Sequence, residues 1–278
     1  MRRDYSNFFV ITDLDGTLLP HSKIISDIDL KSIEAFISLG GRFSIATGRP
    51  VQSVLLYIQK LNVNMPVILY NGSMIYDFCK NKPVWSVFLN NSVRELIKNV
   101  LNEFPDVSAE ILTFDEVYAI QINDAERHHI EVTKTTPIIC SVDEAPDGWL
   151  KALFAADPER LIDVISYING LSVKNVTFVQ SCRFFYEMVP ENVSKGSALN
   201  KLIEICGCKN VKTLAVGDYY NDSEMIKAAD IGFAVSNAQD EVKQIADIVL
   251  NESCEENAIS KIIEYIISEN NDIMKLLV

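Results

Sequence analysis

Apolar runs and amphipathic stretches alternate along the first 72 residues. FFVIT, residues 8–12, is almost entirely apolar, the pattern of a buried strand. Residues 27–39 carry Ile28, Ile33, Ala35, Phe36 and Leu39 at helical spacing, and the pattern stops at Gly40 and Gly41. RFSIAT reads as a second strand. GRPVQSVLLYIQKL reads as a helix with Pro50 near its first turn, where a missing amide donor costs nothing. PVILYNG reads as a third strand closed by an Asn-Gly turn. Strand, helix, strand, helix, strand predicts a parallel sheet with crossover helices.

From residue 73 the rhythm changes. MIYD and PVWSVFLN read as a hairpin around the turn-rich FCKNK. SVRELIKNVLNEF follows as a helix, then VSAEILTF and VYAIQI as strands. A polar loop is predicted through His128 and His129, then a strand at LKALFAA. DPERLIDVISYIN is a helix opened by Asp157 and Pro158. NVTFVQS and FFYEMV read as paired strands. Residues 85–189 are therefore predicted to form an α+β insert. The first rhythm then returns. SKGSALNKLIEICG is a helix with Ser194 as N-cap, and VKTLAVGD, DIGFAVS and DIVL are strands. NDSEMIKAA and AQDEVKQIA are helices between them, and ENAISKIIEYIIS is a closing amphipathic helix. One α/β domain, residues 1–84 and 190–278, is thus interrupted by a second. No internal repeat or low-complexity segment is present.

Charge narrows the partners. The 278 residues carry a formal net charge of -13, which repels nucleic acid and anionic membranes. A small anionic substrate then needs a locally positive site or a metal ion. The six cysteines form no CxxC pair, so no zinc site is predicted and reduced thiols are expected. No apolar stretch reaches the roughly 20 residues of a membrane span, and the first apolar run is too short for a signal peptide. A cytoplasmic protein is the expectation.

The candidate chemistry lies at strand ends, where open parallel sheets bind ligands. The first strand ends in Asp13 and Asp15, the second in Thr47-Gly48-Arg49. The strand after the insert ends in Gly217-Asp218, with Asn221 and Asp222 close behind. Carboxylates so placed repel one another unless a cation holds them, and oxygen ligands favour Mg²⁺. Gly16 and Gly48 let backbone amides approach a phosphate, Thr47 can donate a hydroxyl, and Lys195 brings a positive charge. Asp222 also suits a capping box within NDSE. Arg49 either contacts substrate or pairs with a surface acid. Asn71 and Gly72 form either a plain hinge turn or an entry to the insert with a substrate contact. His128 and His129 are expected to be solvated. Arg183 and Glu187 are placed where they could face the site.

DLDGTLL, ATGR, VSKGSAL and GDYYND, in this order, resemble the four motifs of the haloacid dehalogenase superfamily. The long insert, with YNGS and GFAVSNAQDEVKQIAD, is similar to its Cof-type sugar-phosphatase branch. The resemblance implies a Rossmann-like parallel-sheet core with an inserted α/β cap. It implies Asp13 as nucleophile and Asp15 as acid and base. It further implies Mg²⁺ on Asp13, the Asp15 carbonyl and Asp218, with Asp222 and Asn221 in support. Gly16, Thr47, Gly48 and Lys195 would hold the phosphoryl group, and Asn237 would brace the site. Asp at position 15 suits phosphatase or phosphomutase chemistry; a non-catalytic binding module is the third reading. Acidic residues outnumber basic ones across the insert, which favours a sugar or polyol phosphate over a bisphosphate. Oligomeric state is not legible.

Overall fold

The computed structural model describes residues 4–208 and 210–267. The core begins with β1 (Phe8–Thr12), α1 (Asp27–Ser38), β2 (Arg42–Ile45), α2 (Val51–Leu61) and β3 (Val67–Leu69). Successive side chains of a strand point to opposite faces, and β1 uses both. Phe8 and Val10 pack with Ile33 and Phe36 of α1 and Val54 of α2. Phe9 and Ile11 face the other way, onto a second apolar cluster. Burying each such side chain stabilises the fold by about 1.5–3 kcal/mol.

β3 departs from the simple βαβ expectation. It touches β2 through one parallel bridge, Ala46 to Ile68. It then pairs antiparallel with β4 (Met74–Asp77), which pairs with β5 (Lys82–Ser86). The hairpin read from MIYD and PVWSVFLN is this β4–β5 pair, and the 84/85 division passes through β5.

The chain then builds α3 (Val93–Glu103), β6 (Ser108–Leu112), β7 (Val117–Ile120), α4 (Asp124–Thr133), β8 (Ile138–Ile139), β9 (Lys151–Ala155), α5 (Pro158–Asn169), β10 (Val176–Cys182) and β11 (Phe185–Pro190). Their six strands form one mixed sheet in the order β10-β11-β9-β6-β7-β8. The loop expected around His128 and His129 is helix α4 instead. Asn123 caps it, its side chain accepting from the Glu126 amide at 3.0 Å. The periodicity was hidden because the buried positions of α4 are polar, Glu126 and Thr133. Asp157 precedes α5 as expected, but its side chain makes no capping hydrogen bond.

The core resumes with α6 (Lys195–Ile205), β12 (Lys212–Gly217), α7 (Ser223–Ala228), β13 (Ile231–Ala234), α8 (Asp240–Ile245), β14 (Ile248–Val249) and α9 (Ala258–Ile267). Five parallel strands lie in the order β14-β13-β12-β1-β2. Ala198, Leu199 and Leu202 of α6 cover Phe9 and Ile11, while Ile259, Ile262 and Ile263 of α9 join the opposite cluster. The closing helix starts at Ala258 rather than Glu256, and its last expected residue, Ser268, lies outside the described residues. The fold is thus α/β with a Rossmann-like parallel sheet and an added mixed-sheet layer. Ser194 caps α6 with a reciprocal Ser197 contact, as its position predicted. The outgoing chain passes this cap closely. Gly72 has φ +106, and a Cβ there would stand 2.2 Å from the Ser194 carbonyl oxygen.

Candidate active site

β1 ends at Thr12, so Asp13 emerges at the carboxyl edge of the sheet. Its amide still donates to Val216 of β12 at 2.9 Å, which holds its backbone in the ladder. β12 delivers Asp218 beside it. Lys195, the first residue of α6, sends its buried Nζ to 2.6 Å from both Asp13 Oδ1 and Asp222 Oδ1. The other Asp222 oxygen accepts the amides of Asp218, 2.9 Å, and Tyr219, 3.2 Å. Thr17 donates its hydroxyl to Asp218 Oδ1 at 2.7 Å. A lysine at a helix N-terminus opposes the helix dipole. Burial also disfavours its charge, yet Asp13 and Asp222 outweigh both and hold its pKa above the ordinary value.

Asp13, Asp218 and Asp222 each present an oxygen within 4.8 Å of the others. Lys195 supplies one positive charge against these three carboxylates. The surplus registers in the acids. Burial, then the charges of Asp222 and Asp15, outweigh Lys195 and push Asp13 up to about 7. Burial with Asp13 and Asp222 pushes Asp218 well above its ordinary 3.8. An all-oxygen donor set with excess negative charge fits a hard divalent cation.

Asp15 stands apart, clamped by cations. Arg49 reaches it with two nitrogens, Nε to Oδ2 at 2.6 Å and Nη2 to Oδ1 at 2.7 Å, and Lys23 Nζ lies 2.7 Å from Oδ1. Burial alone would raise its pKa; Arg49 and Lys23 outweigh that and hold it well below the usual carboxylate range. Arg49 therefore pairs with an acid of the site, not a surface acid, and is itself buried.

Thr47 and Gly48 follow β2. The Thr47 amide donates to Ile68 at 2.9 Å, and both residues line the cavity. Gly16 needs to be glycine for a reason the sequence did not show. Its φ is +85, and a Cβ would stand 2.6 Å from Asp218 Oδ2. Its amide donates to Leu19 at 3.2 Å, so the expected phosphate contact from that amide meets an internal competitor. Asn237 donates to the Gly16 carbonyl at 2.8 Å and accepts the Cys254 amide at 2.8 Å, bracing the loop after Asp15. Asn221 donates to Asn71 Oδ1 at 3.1 Å, and Asn71 Nδ2 donates to Glu187 Oε2 at 2.7 Å.

Asp13, Asp15, Thr47, Gly48, Arg49 and Asn221 open into a cavity of ≈ 670 Å³ lined from both layers, with Arg183 and Glu187 on its wall; Gly16, Lys195, Asp218, Asp222 and Asn237 lie outside that lining. Lys23 and Lys151, which no motif marked, line it too. His128 is exposed as expected, but His129 is not solvated: α4 turns it inward, against Glu110 and the cavity. Lys151 lies 2.6 Å from Glu187 Oε2 and donates to the Gly48 carbonyl at 2.9 Å; Ser181 also hydrogen-bonds Glu187. A lysine opening the apolar strand LKALFAA was the available signal, since a charge among buried neighbours needs a partner.

The sequence profile of the haloacid dehalogenase-like hydrolases matches residues 10–263, so the chain belongs to that family. Among its relatives, YxeH of Bacillus subtilis is 28% identical over 273 residues, covering 94% of this chain and 98% of YxeH. The 5-amino-6-(5-phospho-D-ribitylamino)uracil phosphatase YitU of Bacillus subtilis is 25% identical over 251 residues, 86% of this chain and 90% of YitU. A solved haloacid dehalogenase-like hydrolase from Bacteroides thetaiotaomicron superposes with a TM-score of 0.80 at 25% identity, over 93% of this chain and 99% of that one. The enzyme is a phosphatase of this family. All six cysteines are free. Among the described residues no helix is long and apolar enough to cross a membrane.

Proposed function

We propose that the enzyme is a Mg²⁺-dependent phosphomonoesterase of small sugar or polyol phosphates, working through an aspartyl-phosphate. The observation that carries the reading is Asp13, at the sheet edge, 2.6 Å from Lys195 and open to the cavity. An Asp13 oxygen bonds to phosphorus as the bond to the leaving oxygen breaks. Asp15 protonates that oxygen. Its carboxylate then takes a proton from water, whose oxygen attacks phosphorus and frees Asp13. In the free enzyme Asp15 is ionised by Arg49 and Lys23. An entering phosphate dianion competes for these cations and raises the Asp15 pKa, so Asp15 takes up a proton from solvent as the substrate binds and carries it to the leaving oxygen. Lys195 offsets repulsion between Asp13 and the phosphate, and Thr47 and Gly48 flank the phosphoryl oxygens. Mg²⁺ on Asp13, Asp218 and the Asp15 carbonyl, with Asp222 and Asn221 behind, would neutralise phosphoryl charge.

Residues 85–189 serve as the cap that receives the leaving group. Glu187 already neutralises Lys151, which leaves Arg183 as the cap arginine on that wall. A hydroxyl-bearing leaving group suits such a wall, and the phosphorylated ribityl chain in the name of YitU's substrate is of this kind. The test is phosphate release from a panel of sugar, polyol and nucleotide esters with Mg²⁺. Release from sugar or polyol esters, lost in Asp13→Asn, is expected. No release from any ester, or full activity in Asp13→Asn, overturns the reading.

A further inference from the structure

A second buried group of charges lies in the cap, unused by the phosphatase chemistry. Glu110 sits mid-way along β6, and Glu126 and His129 sit on α4. Three residues apart, these two share a helix face. One ligand atom from each of the three residues lies within 4.8 Å of the others. Glu110 and Glu126 are 1% and 0% exposed. Yet Glu110 Oε2, both Glu126 oxygens and His129 Nδ1 have no hydrogen-bond partner. Among the described residues six buried side-chain atoms are orphaned in this way, and four of them meet here.

Nearby groups do not complete the cluster. Lys151 acts on both glutamates through its charge, but its ammonium is committed to Glu187 and the Gly48 carbonyl. The His129 ring pairs with Glu110 only if it is protonated, and both buried Glu126 oxygens stay without a partner. The spacing also suits a metal. Ligand atoms around a tetrahedral zinc ion, with bonds of about 2.0–2.1 Å, stand roughly 3.3–3.4 Å apart. His129 Nδ1 and Glu110 Oε2 are 3.3 Å apart. An imidazole nitrogen beside two carboxylates favours Zn²⁺ over Mg²⁺, which takes oxygen ligands.

We infer that Glu110, Glu126 and His129 form a second divalent-metal site, in the cap, that takes Zn²⁺ with a fourth position left for water. The ion ties α4 to β6 behind the cavity wall. α4 lends His128, His129, Val132 and Thr133 to that wall, so the ion stiffens the side facing the leaving group.

The test reads binding rather than turnover, so it stands apart from the phosphatase reading. Full-length protein is stripped with chelator and titrated with Zn²⁺ in excess Mg²⁺, bound zinc being counted by equilibrium dialysis. Asp218→Asn removes a carboxylate of the core and serves as background. One zinc is expected to remain in Asp218→Asn and to bind at least about tenfold more weakly when Glu126→Gln is added. No zinc in Asp218→Asn, or unchanged affinity in the double variant, overturns the site and leaves a shared proton in its place. X-ray absorption on the wild-type protein with one equivalent of zinc decides the case if a variant does not fold. An imidazole nitrogen among oxygens supports the site; an all-oxygen or sulfur-bearing shell refutes it.

Discussion

Two buried sets of acids, each gathered around one lysine, face the same cavity region from opposite layers. In the core, Asp13, Asp218 and Asp222 surround Lys195. In the cap, Glu187 pairs with Lys151, with Glu110 and Glu126 close behind. Asp13 and Asp218 follow strands that have just ended, and Asp13 opens to the cavity, while Asp222 holds Lys195 and the turn from behind. The cap glutamates Glu110 and Glu187 sit within strands, where neighbours enclose them. Equal ingredients thus give a reactive edge in one place and a braced wall in the other. What differs is whether the strand stops before the acid or continues through it.

The largest way to break this contrast is Asp13→Asn. Turnover is expected to fall on the order of 10⁴-fold or more, measured as kcat on the best ester, with the melting temperature changed little. Lys195→Met comes next. It leaves Asp13 and Asp222 without their buried cation, so kcat falls about 10²–10³-fold and stability by about 3–5 kcal/mol. Steady-state kinetics with denaturant melts checks both. Lys151→Met in the cap tests the opposite face of the comparison. It also loses about 3–5 kcal/mol, because Glu187 is left buried and unpaired, but it raises KM more than it lowers kcat. Adding Glu187→Gln restores most of the stability.

A smaller effect separates the two sets by pH. Asp13 is pushed up to about 7 from 3.8, and Asp218 is also raised. A carboxyl raised in the folded state stabilises while protonated. That contribution is complete below 3.8 and is lost as pH rises through about 7. In chelator the melting temperature therefore falls between roughly pH 4 and pH 8. A hundredfold excess of Mg²⁺ over its Kd restores about 5 °C at the upper end and little at the lower. An effect of Mg²⁺ that is equal at both ends would dissolve the assignment. Arg160→Ala is the smallest change. Its pairs with Asp106 and Asp163 are half exposed, and the loss is expected at about 1 kcal/mol or less by thermal melts.

The core acids were legible because each lies in a short contiguous motif just past an apolar run. Asp13, Thr47, Lys195 and Asp218 could be named from spacing and resemblance. Their partners were not. Arg49 sits 34 residues from Asp15 and reads locally as any helix-start arginine. The cap was harder for a different reason. Helix α4 hides its periodicity because Glu126 occupies a buried position where pattern reading expects an apolar one. Lys151 and Glu110 sit in short apolar strands, and nothing nearby in the chain identifies their partners. Long-range pairing of charges leaves no periodic trace, so it becomes readable only once the strands are laid side by side.

Gly72 carries a consequence for the site lysine. A Cβ there would stand 2.2 Å from the Ser194 carbonyl oxygen, closer than any such contact allows. A methyl there pushes on Ser194 and through it on the lysine that follows. Elsewhere side chains join the layers, as where the Tyr70 hydroxyl donates to the Thr113 carbonyl at 3.2 Å. A substitution at residue 72 would therefore reach the chemistry from outside the cavity, through the backbone that places the lysine holding Asp13.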